Sequence, residues 1–275
     1  MPLLNRDGVQ IFYEAHGPSS IPAAGALSAA GAANEPHPTL LLSHGYSATS
    51  YMWREQVAAL QEHYQVVVWD VRGHGQSDSP EDPACYSEAL TLEDMAAILD
   101  VLHVERAVIG GLSLGGYLSL AFNVEYPERV SALMLFDTGP GYRKDEPREG
   151  WNEMARGRAR FFRRRGTESI AQEHAAHGNQ HRSAEGLALA AEGILQQYDA
   201  RVIDSLPHIQ VPTLVLVGEQ DTPFLAASSY MAGRIPGAEE VVLQDAGHVA
   251  NIDQPEAFNR AVSDFLARNL SSETA

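Results

Sequence analysis

The chain has 275 residues, of which 44% are hydrophobic and 20% are charged, a length and composition that suit one large α/β domain or two small ones. With 36 acidic and 19 basic residues, its formal net charge is −17, which disfavours binding to nucleic acids and to anionic membranes. Because Cys85 is the single cysteine, no internal disulfide can form. We find neither a signal peptide nor an apolar stretch of about 20 residues, so the sequence predicts a cytoplasmic protein without a membrane span.

Short apolar segments alternate with amphipathic segments along most of the chain. The predicted strands are Thr39–Leu42, Gln65–Trp69, Arg106–Ile109, Ala132–Phe136, Thr213–Val217 and Glu240–Leu243. The predicted helices between and after them are Trp53–Gln61, Leu92–Leu102, Leu114–Glu125, Leu225–Arg234 and Pro255–Asn269. Nearly continuous runs of Val, Leu and Ile are typical of parallel strands that are covered on both faces. The alternation therefore predicts an α/β fold with a doubly wound, mostly parallel sheet.

Two stretches depart from this alternation. Residues 19–34 are rich in Ala, Gly, Ser and Pro, a composition that predicts a flexible surface loop. Residues 140–205 are polar, rich in Arg and helical in pattern, and they separate two predicted strands. We expect them to form an inserted helical cap on a core made of residues 1–139 and 206–275.

The strongest chemical signal is the segment of residues 111–116, Gly-Leu-Ser-Leu-Gly-Gly. It fits the pattern Gly-x-Ser-x-Gly, with a predicted strand before it and a predicted helix after it, which is the context that a nucleophile elbow requires. Flanking glycines allow the tight turn, and the helix N-terminus favours negative charge near the hydroxyl. Ser113 is therefore the candidate nucleophile.

A serine hydroxyl needs a base, and the base needs a group that orients it. His248 follows the last predicted strand, and Asp221 follows the preceding one, at the strand ends where sites in α/β proteins lie. Asp137 also ends a predicted strand, so it is the alternative acid, although its position at the entry to the cap suits a turn residue. The order Ser, Asp, His along the chain is the order that we expect for this fold class.

Two backbone amides are candidates for an oxyanion hole. Tyr46 follows the predicted strand Thr39–Leu42 through His44 and Gly45, and Leu114 follows the candidate nucleophile. Their N–H groups would stabilise the oxyanion that develops during attack. His44 is expected to hold this loop by hydrogen bonds, with substrate binding as the alternative. In the cap, the aromatic candidates for substrate contact are Trp151, Phe161 and Phe162.

Two further clusters have an ordinary and a functional interpretation. His174, His177 and His181 are spaced like metal ligands on one helix face, but Gly178 and Asn179 interrupt that helix, so we expect a solvated surface and no metal. The basic run of the cap favours a solvated surface, with a rim that steers acidic substrates as the alternative; its residues are Arg156, Arg158, Arg160 and Arg163–Arg165.

Together these features resemble the α/β-hydrolase-fold serine hydrolases over essentially the whole chain. The resemblance rests on Ser43–Tyr46, Asp70–Asp78, Gly111–Gly116, Tyr126–Val130, Val217–Asp221 and Gly247–Glu256. It implies Ser113 as nucleophile, His248 as base, Asp221 as acid, and the amides of Tyr46 and Leu114 as oxyanion donors. The segments Gly111–Gly116 and Gly247–Phe258 resemble the branch of small carboxylesterases and 3-oxoadipate enol-lactonases.

This resemblance implies hydrolysis of a small carboxylic ester or lactone through an acyl-enzyme, without metal or organic cofactor. Carbon–carbon bond hydrolases usually have Asn before the serine and Trp after the histidine, where this chain has Leu112 and Val249. That activity is therefore an alternative, as is cofactor-free perhydrolysis. A non-catalytic receptor or scaffold on the same fold is the alternative from another class. The sequence gives no prediction of oligomeric state.

Overall fold

The protein is described by a computed structural model that covers residues 2–18, 37–167 and 180–270. The predicted flexible loop of residues 19–34 lies outside the described residues. So do residues 168–179 of the predicted cap, which include His174 and His177.

A mostly parallel sheet runs through the described part of the chain. Its eight strands are ordered β1-β2-β4-β3-β5-β6-β7-β8. Their bounds are β1 Leu3–Arg6, β2 Val9–His16, β3 Thr39–Ser43, β4 Gln65–Trp69, β5 Ala107–Leu112, β6 Val130–Phe136, β7 Thr213–Gly218 and β8 Glu239–Leu243. Strand β2 pairs antiparallel with β1 and with β4, whereas the other neighbouring strands pair in parallel. The predicted doubly wound α/β fold is confirmed.

Helices cover both faces of the sheet. They are α1 Arg54–Leu60, α2 Glu88–Val101, α3 Leu114–Glu125, α4 Asp145–Arg165, α5 Ala184–Ala190, α6 Arg201–Ser205, α7 Thr222–Arg234, α8 Ala250–Asp253 and α9 Pro255–Leu270. Within β3, Leu41 packs with residues of α2 and α3, whereas Leu40 and Leu42 pack with residues of α1 and α9. Because alternate side chains of a strand point to opposite faces, each central strand contributes to both layers of the core.

Helices α4 to α6 lie between β6 and β7, where the alternation of strands and helices lapses. A five-residue π-helical segment, Ala191–Leu195, continues α5. These described helices are the part of residues 140–205 that we propose as a cap. In the described ranges, no helix is both long enough and apolar enough to cross a bilayer.

Differences from the predicted elements occur at the sheet edge and at helix starts. The sequence assigns no bounds to β1 and β2, although the loop of residues 19–34 is expected to follow an early strand; β1 is a short edge strand with alternating exposure. Helix α2 begins at Glu88 rather than at Leu92, because the Ser87 hydroxyl accepts a hydrogen bond from the Leu90 amide and caps the helix.

Candidate active site

Ser113 occupies a strained turn between β5 and α3. Its φ of 56° and ψ of −113° are unusual for a residue with a side chain, a conformation that costs about 1–3 kcal/mol. The turn is held by a hydrogen bond of 2.9 Å from the Ser113 amide to the Phe136 carbonyl oxygen. A Cβ atom on Gly111 would lie 2.4 Å from the Gly115 carbonyl carbon, and one on Gly115 would lie 2.1 Å from the Ser43 carbonyl oxygen. Both glycines are therefore required by the close approach of backbone at this turn.

His248 and Asp221 form the hydrogen-bonded pair that the sequence predicts. His248 Nδ1 lies 2.8 Å from Asp221 Oδ2, the imidazole is half-exposed, and the carboxylate is buried. The Phe224 ring stacks on the imidazole with 5.0 Å between ring centroids. A carboxylate can only accept a hydrogen bond, so this bond requires the proton to be on Nδ1. Nε2 is then unprotonated and can act as a base. Burial lowers the pKa of His248, but the hydrogen bond and charge of Asp221 outweigh it, and the pKa is raised.

Asp137, the alternative acid, is bonded to the backbone. Its side chain is fully buried, its Oδ1 accepts a hydrogen bond of 2.8 Å from the Gly218 amide, and its Oδ2 has no partner with hydrogen-bond geometry among the described residues. Burial raises the pKa of Asp137; the Gly218 amide opposes that effect and the Asp221 charge adds to it, so the pKa is about 7. Of the two candidate acids, Asp221 is the one bonded to His248.

A cavity of about 160 Å³ opens beside Ser113. Its lining residues come from the elbow, the β6–α4 connection, the cap and α7; they are Ser113, Leu114, Tyr117, Thr138, Gly139, Pro140, Gly141, Tyr142, Trp151, Leu195, Gln197, Pro223, Phe224 and Ala227. Phe224 thus contacts both the cavity and His248. Within the described part of the chain, the Ser113 hydroxyl has no hydrogen-bond partner. Catalytic hydrogen bonds are often long before substrate binds.

The loop that carries Tyr46 lies against the nucleophile elbow. A Cβ atom on Gly45 would lie 3.4 Å from Ser113 Cβ, which shows how closely the backbone at Gly45 approaches Ser113. The N–H groups of Tyr46 and Leu114 have no acceptor among residues 2–18, 37–167 and 180–270. Leu114 is the first residue of α3, where an amide has no partner within the helix. Neither amide is therefore committed to a hydrogen bond within the described residues.

His44 lies in the interior, away from the cavity lining. Its Nδ1 lies 2.7 Å from the Gly45 carbonyl oxygen, and its Nε2 accepts a hydrogen bond of 3.0 Å from the Val71 amide. Burial lowers its pKa, against the opposing charge of Asp70. The neutral ring thereby joins two loops, in agreement with the expectation that His44 holds this backbone. Its alternative role in substrate binding has no support in this position.

The aromatic residues of the cap separate into two groups. Trp151 lines the cavity and donates a hydrogen bond of 2.8 Å to the Leu195 carbonyl oxygen. Phe162 packs on Leu187 and on Tyr46, and Phe161 packs against Phe162; neither phenylalanine lines the cavity. Phe162 lies eleven residues beyond Trp151 on α4, roughly 16 Å further along the helix.

Several lining residues were not identified from the sequence. Tyr117 lies one helical turn after Ser113, so the 3.6-residue period was a usable signal. Gln197 is held by Asn152, whose side chain exchanges two hydrogen bonds of 2.8 Å with the Gln197 backbone. Neither this contact nor the stacking of Phe224 on His248 has a local sequence signature.

The possible metal site at the cap histidines has no support in the described residues. There, no group of three or more His, Cys, Asp or Glu side chains is arranged to hold a metal ion. His181, the described member of the predicted trio, uses both ring nitrogens on backbone: Nδ1 accepts from the Gly75 amide at 3.1 Å, and Nε2 lies 3.1 Å from the Ser47 carbonyl oxygen.

Comparisons with known proteins identify the family of the chain. The model of the alpha/beta hydrolase fold family matches residues 38–255. A 3-oxoadipate enol-lactonase of Acinetobacter baylyi is 30% identical over 251 residues, which are 84% of this chain and 89% of that protein. The solved enol-lactonase of Burkholderia xenovorans is 28% identical, with a TM-score of 0.74 over 97% of this chain and 100% of its own. A thermophilic esterase of Thermogutta terrifontis is also 28% identical, with a TM-score of 0.78 over 97% and 96% of the two chains. The chain belongs to the α/β-hydrolase family and is a hydrolase.

Proposed function

We propose that the protein hydrolyses a carboxylic ester or lactone through an acyl-enzyme on Ser113. The observation that carries the proposal is the 2.8 Å bond between His248 Nδ1 and Asp221 Oδ2, close to the cavity that Ser113 lines. The strained turn at Ser113 and the enol-lactonase and esterase relatives support it. A receptor or scaffold has no requirement for a strained serine in the same site as an oriented histidine–carboxylate pair.

In the first half of the reaction, Ser113 Oγ attacks the carbonyl carbon while His248 Nε2 takes the hydroxyl proton. The carbonyl oxygen becomes negatively charged, and the amides of Tyr46 and Leu114 donate hydrogen bonds to it. Asp221 stabilises the imidazolium that forms and keeps its ring oriented. Collapse of the intermediate breaks the bond to the alcohol oxygen, which takes the proton from His248. In a lactone, that oxygen remains attached to the acyl group.

In the second half, the acyl group is transferred from Ser113 to water. His248 Nε2 accepts a proton from the water, whose oxygen attacks the ester carbonyl of the acyl-enzyme. The same two amides bind the second oxyanion. Its collapse breaks the bond to Ser113 Oγ, which regains the proton from His248, and the carboxylic acid is released. Each half therefore uses the same base and the same pair of donors.

Turnover by a Ser113→Ala variant tests this proposal. The substrates are p-nitrophenyl esters of several acyl lengths, simple lactones and a ring-fission dienoate, which reports carbon–carbon bond hydrolysis. Ser113→Ala is expected to lower kcat on esters or lactones by about 10⁶-fold, as for other Ser-His-Asp enzymes.

Ser119→Ala provides the matched control, because Ser119 lies in α3, directly after the turn of Ser113, and its hydroxyl donates to the Gly115 carbonyl oxygen. This variant is expected to retain most of the activity. Substantial turnover by Ser113→Ala would contradict the proposal, and turnover restricted to the dienoate would replace it with carbon–carbon bond hydrolysis.

A further inference from the structure

Among the residues that the structure describes, none that lines the cavity beside Ser113 has a charged side chain. Four of the lining residues are aromatic: Tyr117, Tyr142, Trp151 and Phe224. Burial raises the pKa of Tyr117 further above the physiological range, so its phenol stays neutral. The side-chain polarity that remains comes from hydroxyl groups, the Trp151 N–H and the amide of Gln197. A buried carboxylate in this cavity would therefore lack a cation to pair with.

The arginines of α4 do not supply that cation. Arg156 donates to Glu149 and Glu153, and Arg160 donates to Glu153. Arg163 forms ion pairs with two carboxylates, Glu185 and Glu192. The other members of the basic run, Arg158, Arg164 and Arg165, are exposed, and none of the six lines the cavity. This arrangement favours a solvated, ion-paired surface over a rim that steers acidic substrates.

Arg148 is the cap cation that needs separate treatment, since it contacts a wall residue. Its guanidinium donates to the Tyr142 carbonyl oxygen at 3.2 Å and to the Asp145 carboxylate. These hydrogen bonds place the positive charge of Arg148 next to a carboxylate and a backbone carbonyl oxygen. The Arg148 charge also acts on the Tyr117 phenol in the lining, and its remaining N–H groups make it the arginine to test directly. The net charge of −17 on the chain also opposes the approach of an anion.

The size of the cavity limits the group that it can hold. A cavity of about 150 Å³ lined by apolar side chains accepts benzene, and this cavity measures about 160 Å³. In the acyl-enzyme, the acyl group is bonded to Ser113 Oγ, so it must occupy the space that Ser113 lines. The acyl group is therefore the part of the substrate to which these limits apply.

Gln197 contributes a neutral amide to the lining. Its side chain is buried, and its Oε1 has no hydrogen-bond partner among the described residues. A Cβ atom on Gly141 would lie 2.8 Å from this oxygen, so the amide is close to the cavity wall. Because the amide is neutral, it cannot balance the charge of a substrate carboxylate.

We propose that this enzyme selects uncharged acyl groups of about the size of a six-membered ring and rejects acyl groups that carry a carboxylate. The inference rests on the proposed acyl-enzyme at Ser113 and adds the chemical class of the substrate. The enzyme is expected to reject esters and lactones whose acyl group carries a second, free carboxylate. Benzoyl, short branched and amide-bearing acyl groups fit the cavity.

The test uses two esters that differ in charge and hardly in size: p-nitrophenyl hydrogen adipate and p-nitrophenyl adipamate. Their acyl chains end in a carboxylate and in a carboxamide, and their leaving group is the same. The adipamate is expected to have a kcat/KM at least about 100-fold higher, because only the carboxylate is buried without a partner. Gln197→Lys, which introduces a cation, is expected to reduce this ratio at least about tenfold.

Arg148→Gln and its matched control Arg160→Gln test whether a cap arginine recognises the carboxylate. Neither is expected to change the ratio. Equal or faster hydrolysis of the adipate ester by the unmodified enzyme would overturn the proposal. Loss of that activity in Arg148→Gln alone would then identify the arginine that reaches the cavity.

Binding to the Ser113→Ala variant separates this inference from the proposed function. Trp151 lines the cavity, so tryptophan fluorescence reports occupancy without turnover. Tighter binding of the adipamate ester, with no Ser113-dependent hydrolysis of either ester, would refute the proposed function and support the charge selection. Hydrolysis that depends on Ser113, combined with equal binding and turnover of both esters, would refute the charge selection alone.

Discussion

Replacement of Asp137 by Asn is expected to stabilise the protein at alkaline pH. One oxygen of the buried carboxyl is hydrogen-bonded, and the other has no partner with hydrogen-bond geometry among the described residues. Burial raises its pKa to about 7, against the Gly218 amide and with the Asp221 charge. Asparagine has nearly the same shape and no charge. It therefore removes the cost of ionising this site while its oxygen still accepts from Gly218.

The sign and size of the effect follow from proton linkage. Below the ordinary pKa of 3.8, the carboxyl is protonated in both the folded and the unfolded chain and makes no difference. Between 3.8 and about 7, the unfolded chain loses this proton and the folded chain keeps it, so stability decreases as pH rises. The difference of about 3 pKa units corresponds to about 4 kcal/mol above pH 7. A weaker hydrogen bond to Gly218 offsets about 1 kcal/mol, and the buried NH₂ group of Asn, which has no acceptor, offsets at least about 1 kcal/mol more, leaving a gain of at most about 2 kcal/mol.

Urea unfolding at pH 5 and at pH 8 measures this gain. Asp137→Asn is expected to be more stabilising at pH 8 than at pH 5, with turnover that stays within about tenfold because His248 is bonded to Asp221. The control is Asp100→Asn, an amide substitution at an exposed carboxylate. If Asp137→Asn changed the free energy of unfolding equally at both pH values, this account of the buried carboxyl would be refuted.

Three further substitutions test other contacts of the site. Asp221→Asn is expected to lower kcat by about 10⁴-fold with little change in Tm, and an unchanged kcat would contradict its role beside His248. Gly115→Ala is expected to lower Tm by several degrees because its Cβ would meet the Ser43 carbonyl oxygen, whereas Gly150→Ala, with open space around it, is the control. Burial lowers the pKa of His181 to about 4, so stability is expected to fall as pH decreases from 6.5 to 4. His181→Gln should make Tm less dependent on pH in that interval, and an identical Tm profile would argue against this buried histidine.

The sheet and the nucleophile elbow could be predicted because their signals are local. Fully buried parallel strands such as β4 and β5 read as continuous apolar runs, and the glycines around Ser113 are dictated by contacts within the turn itself. Strand β1 has alternating exposure over four residues, too short for its pattern to stand out from a loop.

The choice between the two acids depended on tertiary contacts. Asp137 and Asp221 both follow apolar strands, and the sequence left Asp137 open as the alternative. The distinction comes from the Gly218 amide, which binds Asp137, and from the loop that brings His248 to Asp221. No local pattern encodes which of two strand ends a distant histidine will reach.

The cap was predicted as helical, but its contacts with the cavity were not. Trp151 and Phe162 are both aromatic residues of α4, and only Trp151 reaches the cavity, because the register of the helix against the core decides which turn lies over Ser113. Gln197 reaches it through two hydrogen bonds with Asn152, a contact between residues 45 positions apart.

Covalent labelling with a fluorophosphonate probe, followed by peptide mapping, tests the central claim most directly. The proposed mechanism predicts one adduct per chain, located on Ser113 and absent from the Ser113→Ala variant. The probe reacts with a serine only when a neighbouring base activates it, so labelling reports the nucleophile without any assumption about substrate. An adduct on another residue, or a folded protein that is not labelled at all, would contradict the assignment of Ser113 as the nucleophile of a serine hydrolase.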